Sequence, residues 1–308
     1  MPTVRRLFSN PWVRLLVTAL LLGLVLWKVQ PERLAGAASS INAAYLLIAL
    51  VLTVPFLYLK TVRWYLILRA AGISVTLPEA ALSLVGGMGL ALLTPARLGE
   101  LVRVAYLRDP HKLKIGALVM VDKGFDVLVL AALSIPGAWH LLGAAAGVAL
   151  LVATVIGLFV VYEPRPLHRA LLSTGRLPLG QKLLPAWESL ESLSPASSTL
   201  FIAVTAASFA VVLLQFGIIL LGWHSWSPQI VLFTFPLVIL TNILPLTIGG
   251  LGIREGVAAV LLAHYGIPVA DAALAAFLMF AINTALPGII GSLLLPAVPI
   301  ARPAPDGT

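Results

Sequence analysis

Long apolar stretches dominate this sequence and decide what it can fold into. An α-helix needs about 20 apolar residues to cross the hydrocarbon core of a bilayer. Hydrophobic residues make up 60% of the chain and charged residues only 10%, which excludes a soluble domain. Spans are predicted at 11–29, 41–59, 117–133, 141–162, 200–223 and 272–295. We therefore predict an all-α, polytopic helical membrane protein with about six full spans in one transmembrane domain, 1–308.

Two apolar stretches, one in each half, break at Pro and Gly and then present charge. The first is Leu90–Arg103 and the second is Thr241–Glu255. Paired broken helices of this kind point to a transporter-type site near the membrane midplane. The residues that we predict to act as hinges are Pro95, Gly99, Pro245, Gly249, Gly250 and Gly252.

The positions of the 20 lysines and arginines predict an orientation. Cytoplasmic loops of membrane proteins are rich in Lys and Arg, so most of these residues belong inside, with a cytoplasmic N-terminus in the cell inner membrane. This requires segment 78–103 to be a re-entrant hairpin, and it makes segment 229–256 dip in from the opposite face. We expect two halves, 1–162 and 198–308, related by inverted pseudo-symmetry and joined by a cytoplasmic interfacial loop, 163–197.

The first broken segment carries a spaced set of charges. Arg97, Glu100 and Arg103 follow each other at intervals of three, so on one helix they share a face and Glu100 can pair with either arginine. Two arginines near a helix N-terminus suit a phosphate group. The alternative is a salt-bridge cluster that only orients the hairpin.

Three further arginine and glutamate positions are candidates for the same site. Arg254 and Glu255 are adjacent, and adjacent side chains do not face each other on a helix, so we expect a separate partner for each. Arg63 follows the second predicted span, where it fits either a headgroup anchor at the inner surface or a partner for buried acids.

An otherwise apolar span contains Asp122, Lys123 and Asp126. Charges inside a span face the protein interior and pair with one another or with a ligand. Lys123 alone cannot balance two acids, so Arg63, Arg97 or Arg103 is expected as a partner. The group can act as a gating ion pair, carry a coupling proton or form a static salt bridge.

These motifs together resemble a known family. The segments 94–103, 122–126 and 245–256 occur in the order seen in the lysylphosphatidylglycerol synthase transmembrane-region family of flippase-like membrane proteins, which includes the flippase half of the multiple peptide resistance factor. The resemblance covers nearly the whole chain and implies lipid translocation between leaflets. Asp122-Lys123 departs from the Glu-Arg that is frequent in the family. These 308 residues contain no soluble aminoacyl-transferase domain, so we expect no aminoacyl transfer from tRNA.

The leading hypothesis from this resemblance is a lipid flippase without enzymatic activity, cofactor or metal. Arginines 97, 103, 63 and 254 would hold an anionic or phosphate-bearing headgroup of a membrane lipid between the two hairpins. No nucleotide-binding loop is present, so transport would be gradient-driven or facilitated. The alternatives are a lipid-modifying enzyme that uses Asp122 and Asp126, or a scaffold for lipid biosynthesis. The net charge of +8 fits the inner-surface bias, so we expect no nucleic-acid partner, and a homo-oligomer stays open.

Overall fold

The predicted all-α membrane fold is confirmed. A computed structural model describes residues 31–93, 98–107, 109–166, 185, 187–224, 227–243, 247 and 250–294. In these ranges the regular structure is helical, and four helices are long and apolar enough to cross a membrane. The predicted span at 11–29 and most of the loop 163–197 lie outside them. The count of six spans and the inverted relation between the halves stay predictions.

Within the described residues, the first half forms six helices with one break and one irregular turn. They are α1 (Pro31–Ser40), α2 (Ala43–Ala70), α3 (Leu77–Leu93), a 3₁₀ turn (Leu98–Val102), α4 (Arg103–Tyr106), α5 (Lys112–Gly137), a π turn (Ala138–Leu142) and α6 (Ala144–Tyr162). Helix α5 is 26 residues long and continues through Pro136 into the π turn.

The second half repeats this order of elements. It consists of α7 (Pro195–Leu221), α8 (Pro228–Leu240), a 3₁₀ turn (Thr241–Ile243), α9 (Ile253–Ala263), α10 (Val269–Phe280), a π turn (Ala281–Ala285) and α11 (Leu286–Leu294). In both halves a long helix and a second helix precede a break with a 3₁₀ turn, and a π turn adjoins a Pro-Gly pair further on.

Helices of one half pack against helices of the other half. The long helices α2 and α7 pack on each other, α5 packs on α8, and α11 packs on α3. Glycine makes the last two contacts close: a Cβ atom added at Gly137 would overlap the backbone of Phe233 in α8, and one at Gly291 would overlap the backbone of Val85 in α3. In each half, the helix that follows the long helix therefore packs against a helix of the other half: α8 against α5, and α3 against α11.

Helix α2 extends further than its sequence predicted. The span was expected to end at Leu59, but the helix continues through Pro55 as far as Ala70. It ends at Gly72, whose φ of 80° is readily adopted only by glycine, and Ile73 N–H donates to the carbonyl of Leu68 in a Schellman-type closure. The cationic residues after position 59 consequently belong to the helix and not to a loop.

Two large hydrophobic cores are found in the described residues, and α2 and α7 contribute to both. The core of the first half contains Trp64 of α2 together with Phe201 of α7. The core of the second half contains Phe56 of α2 together with Phe216 of α7, whose ring stacks on Phe235 with 3.8 Å between centroids. Because each long helix enters both cores, this pair forms the frame on which the broken segments are mounted.

Candidate functional site

A buried ion-pair network joins α2, α4 and α5. The guanidinium of Arg63 lies 2.7 Å from the carboxylate of Asp122, and Arg103 lies 2.9 Å from the other oxygen of the same carboxylate. All three side chains are only 1% exposed. Buried charges are tolerated when they are paired and hydrogen-bonded, so Asp122 with its two arginines is a fixed structural centre.

The network continues from this centre toward the interior space of the bundle. Asp126 lies one turn after Asp122 and binds Arg63 at 2.7 Å and Lys60 at 2.9 Å. Lys123 lies 2.5 Å from Glu100 and 3.9 Å from Asp126, which closes a ring of ion pairs. The described network thus contains four cationic and three acidic side chains, and its most exposed cation is Lys123, at 31%.

The first broken segment delivers two members of this network. A helix was expected to start after Pro95, but the chain forms the 3₁₀ turn Leu98–Val102 and then the four-residue α4. Arg103 and Glu100 still pair, with 2.5 Å between Nη2 and Oε2. Gly87 of α3 makes room, because an added Cβ there would overlap the Arg103 side chain. The predicted site residue Arg97 and the predicted hinge Pro95 lie outside the described residues. The predicted hinge Gly99 is part of the 3₁₀ turn.

The structure places two of the predicted headgroup arginines in the protein interior. Arg63 was expected at the inner surface as one option, but it is buried in the protein interior because α2 carries it past the predicted end of the span. Arg63 also donates to the hydroxyl of Thr205 in α7, at 2.7 Å. Arg103 was expected to contact a headgroup, yet its guanidinium is buried between Glu100 and Asp122, 5.4 Å from the Trp64 ring.

The second broken segment arranges its charges locally. Arg254 and Glu255 were expected to face apart, but Arg254 donates to Glu255 Oε1 at 2.7 Å, because a long guanidinium side chain can fold back at the start of α9. Glu255 also accepts from the backbone N–H of Gly252 at 2.7 Å and thereby caps the helix. Arg254 lies over the ring of Phe280, 4.5 Å from its centroid.

Glycine shapes this second break. Gly250 and Gly252 have φ values of 75° and 85°, which side-chain-bearing residues rarely adopt. A Cβ at Gly250 would overlap Oδ1 of Asn242, so this glycine packs tightly against the 3₁₀ turn that follows α8. The other two predicted hinges in this segment, Pro245 and Gly249, lie outside the described residues.

A cavity of about 420 Å³ lies between the two breaks. Glu100 of the first break and Asn242 and Arg254 of the second line it. Its wall is otherwise mainly apolar, with charged groups from α2 and α5 and neutral polar groups from the second half. Those further polar residues are Lys60, Lys123, Asp126, Ser208, Asn283 and Thr284. The wall therefore combines an apolar surface with a few convergent polar groups, as ligand pockets do.

The comparison with known proteins agrees with this arrangement. A family model described as the lysylphosphatidylglycerol synthase TM region matches residues 12–291. The chain belongs to this family. The match includes both broken segments and the whole ion-pair network. Membership gives the chain a membrane lipid-related role. No curated protein matches the chain.

Sequence reasoning missed several residues that this family member brings to the site. Lys60 was not among the predicted site residues, although a cation within one helical turn of Arg63 was a usable signal. A neutral cluster near the cavity was missed as well: Gln215 donates to the carbonyl of Ala49 and the hydroxyl of Thr53, and it exchanges hydrogen bonds with Asn283. Uncharged residues in an apolar span carry little signal, which explains why these were overlooked.

Proposed function

We propose that this protein moves a lipid with a phosphate-bearing headgroup between membrane leaflets. The observation that supports this most is the cavity between the two breaks, whose volume of about 420 Å³ suits a polar headgroup and whose wall is mainly apolar. Charged groups inside a membrane protein are costly and mark substrate pathways. Family membership supports a lipid as the substrate.

The cations on the cavity wall are the proposed headgroup contacts. Lys60, Lys123 and Arg254 line the cavity, so each can approach a phosphate there. Arg97, which follows Pro95 in the first break, is proposed as a further contact. Arg63 and Arg103 do not line the described cavity. Their proposed role is to orient Asp122, Asp126 and Glu100 through ion pairs. Glu255 serves in the same way by fixing the guanidinium of Arg254.

Acidic groups on the same wall fit a transporter better than a tight binding site. Glu100 and Asp126 line the cavity next to the lysines, so they reduce the attraction that an anion experiences there. A substrate must bind well enough to enter and weakly enough to leave. We expect facilitated or gradient-driven movement, in which the hinge glycines of the second break allow α9 to shift.

Transport can be measured in phosphatidylcholine liposomes that contain a trace of phosphatidylglycerol labelled on its acyl chain. Externally added dithionite bleaches only the outer leaflet, so the bleached fraction reports lipid exchange. We expect Lys123→Met to slow exchange about tenfold, the effect of losing one charge-assisted contact. The matched control is Lys114→Met, because Lys114 donates to the carbonyl of Ala71 and does not line the described cavity. Exchange no faster than in empty liposomes would contradict the proposal.

The same liposomes test whether the protein is an enzyme. Asp122 and Asp126, the residues of the enzymatic alternative, bind Arg63, Arg103 and Lys60. We propose that these carboxylates stabilise the fold and do not hold a catalytic metal. Lipid mass spectrometry after transport should therefore show unmodified phosphatidylglycerol, and EDTA should leave the exchange rate unchanged.

A further inference from the structure

Helices α9 and α10 form a hairpin whose open end borders the cavity. Arg254 at the start of α9 and Phe280 at the end of α10 both line the cavity, and the cation–π contact joins them. The backbone beyond each of these residues is irregular: Gly252, with its positive φ, precedes α9, and the π turn Ala281–Ala285 follows α10. π turns are frequent at functional sites. The hairpin is therefore attached to the rest of the protein through two irregular segments next to the cavity.

The closed end of this hairpin contacts α7. His224 follows α7, and Asp271 lies in the first turn of α10. Their side chains meet with 2.6 Å between Nε2 and Oδ2, and they are 33% and 15% exposed. Asn42, just before α2, donates its backbone N–H to the carbonyl of Gly222, so the pair lies at the end of the bundle where α2 begins. The pair thus joins the end of the hairpin that is remote from the cavity to the frame of α2 and α7.

The buried face of α10 consists mainly of alanine. Helix α1 covers part of this face through Ala37. An alanine side chain is a single methyl group, so it makes fewer van der Waals contacts than a larger side chain does. The contact of His224 with Asp271 is therefore well placed to decide whether the hairpin stays against α7. The buried residues of α10 are Ala270, Ala272, Ala273, Ala275, Ala276 and Met279.

Histidine is the side chain that ordinarily changes its charge between about pH 5 and 8. In the part of the chain that the structure describes, the ion-pair partner of His224 is Asp271. Neither α7 nor α8 contains a charged residue. The other charged or titratable residues that the neighbouring elements bring to this end of the bundle are Glu32 and Arg33 of α1, Tyr45 of α2, His140 after α5, and His264 and Tyr265 after α9.

We infer that His224 and Asp271 form a pH-dependent latch, which holds the α9–α10 hairpin against α7 and thereby regulates lipid exchange. The regulatory part of this inference rests on the proposed function. An imidazolium binds a carboxylate more strongly than a neutral imidazole does. A fall in pH through the histidine range therefore tightens the latch, and a rise in pH loosens it. On the predicted orientation this end of the bundle lies outside the cytoplasm, so the latch responds to the pH there.

Spin-label distances test the latch without lipid exchange. The sequence contains no cysteine, so Ala44→Cys and Ala263→Cys place one label on the frame and one on the hairpin, both at exposed positions. In liposomes we expect the population with the longer distance to grow about fivefold from about pH 6 to about pH 8. Adding His224→Gln should abolish this response, because an amide does not change its charge. A label pair at Ala44→Cys and Leu200→Cys, on α2 and α7, should show no response.

Exchange rates test the regulatory role. The same buffer is used inside and outside the liposomes, and labelled short-chain phosphatidylglycerol is extracted with serum albumin because dithionite decomposes in acid. We expect the wild-type protein to exchange lipid about fivefold faster at about pH 8 than at about pH 6, and His224→Gln to show equal rates. His140→Gln and His264→Gln are the matched controls, because both histidines are exposed. Each should keep the wild-type response.

The two readouts separate this inference from the proposed function. Label distances that do not change with pH, or that change equally in His224→Gln, would overturn the latch and leave the proposed function standing. Distances that respond to pH while the exchange rate does not would overturn the regulatory role. Absence of exchange at both pH values would overturn the proposed function, while the label distances would still decide whether the latch exists.

Discussion

The two broken segments follow the same plan, yet they fix their charged residues in different ways. In the first, Arg103 and Glu100 bind Asp122 and Lys123 of α5, and Asp122 leads on to Arg63 of α2. In the second, the charged side chains bind each other, the start of their own helix and one aromatic ring. A shift of the first break would separate buried ion pairs to α5, whereas a shift of the second would separate the cation–π contact between Arg254 and Phe280 of α10.

The largest expected effect tests the rigidity of the first break. Arg63→Leu leaves Asp122 and Asp126 buried with less compensating charge, so we expect the free energy of unfolding to fall by about 3–5 kcal/mol. Denaturation of the purified protein in detergent measures this loss. Arg69→Leu is the control, because Arg69 is an exposed residue in the last turn of the same helix.

A second substitution tests whether uncompensated buried charge causes the loss of stability in Arg63→Leu. If uncompensated charge is the cause, adding Asp122→Leu to Arg63→Leu should restore part of the stability, because the double variant removes both partners of a buried pair. A loss of under about 1 kcal/mol in Arg63→Leu would mean that the network does not fix the segment.

A smaller effect is expected at the second break. Glu255→Ala removes the acceptor for Gly252 N–H and the partner of Arg254, so we expect a loss of about 1.5–3 kcal/mol. Glu255→Gln keeps an acceptor oxygen for the cap and should lose less. The same denaturation assay measures both variants, and a loss at Glu255 that equals the one at Arg63 would remove the contrast between the breaks.

The smallest expected effect concerns the two close glycine contacts between the halves. Gly137→Ala and Gly291→Ala each force a methyl group against the backbone of the other half, so we expect similar losses of about 1–2 kcal/mol. Gly124→Ala on α5 is the control, because its new Cβ has no neighbour within 4 Å. That variant should be neutral or slightly more stable. Strongly unequal losses at Gly137 and Gly291 would argue that the halves are not equivalent.

Much of this site was predictable from the cost of placing charge in an apolar span. Buried Asp122 and Asp126 require cationic partners, and Arg103 of the first broken segment was correctly predicted as one candidate. Side-chain reach was not predictable, which is why the Arg254–Glu255 pair was missed. The end of α2 was misjudged because a run of apolar residues marks where lipid contact ends, whereas the helix itself continues to Ala70, before the turn at Gly72.

The π turn at Ala281–Ala285 has a consequence for how the last helix is positioned. A π turn amounts to one residue inserted into an α-helix, and each residue of an α-helix turns the chain by about 100° about its axis. Deleting one residue there would straighten the helix and rotate α11 by that angle. Gly291 would then turn away from Val85, so the contact between α11 and α3 depends on a single additional residue.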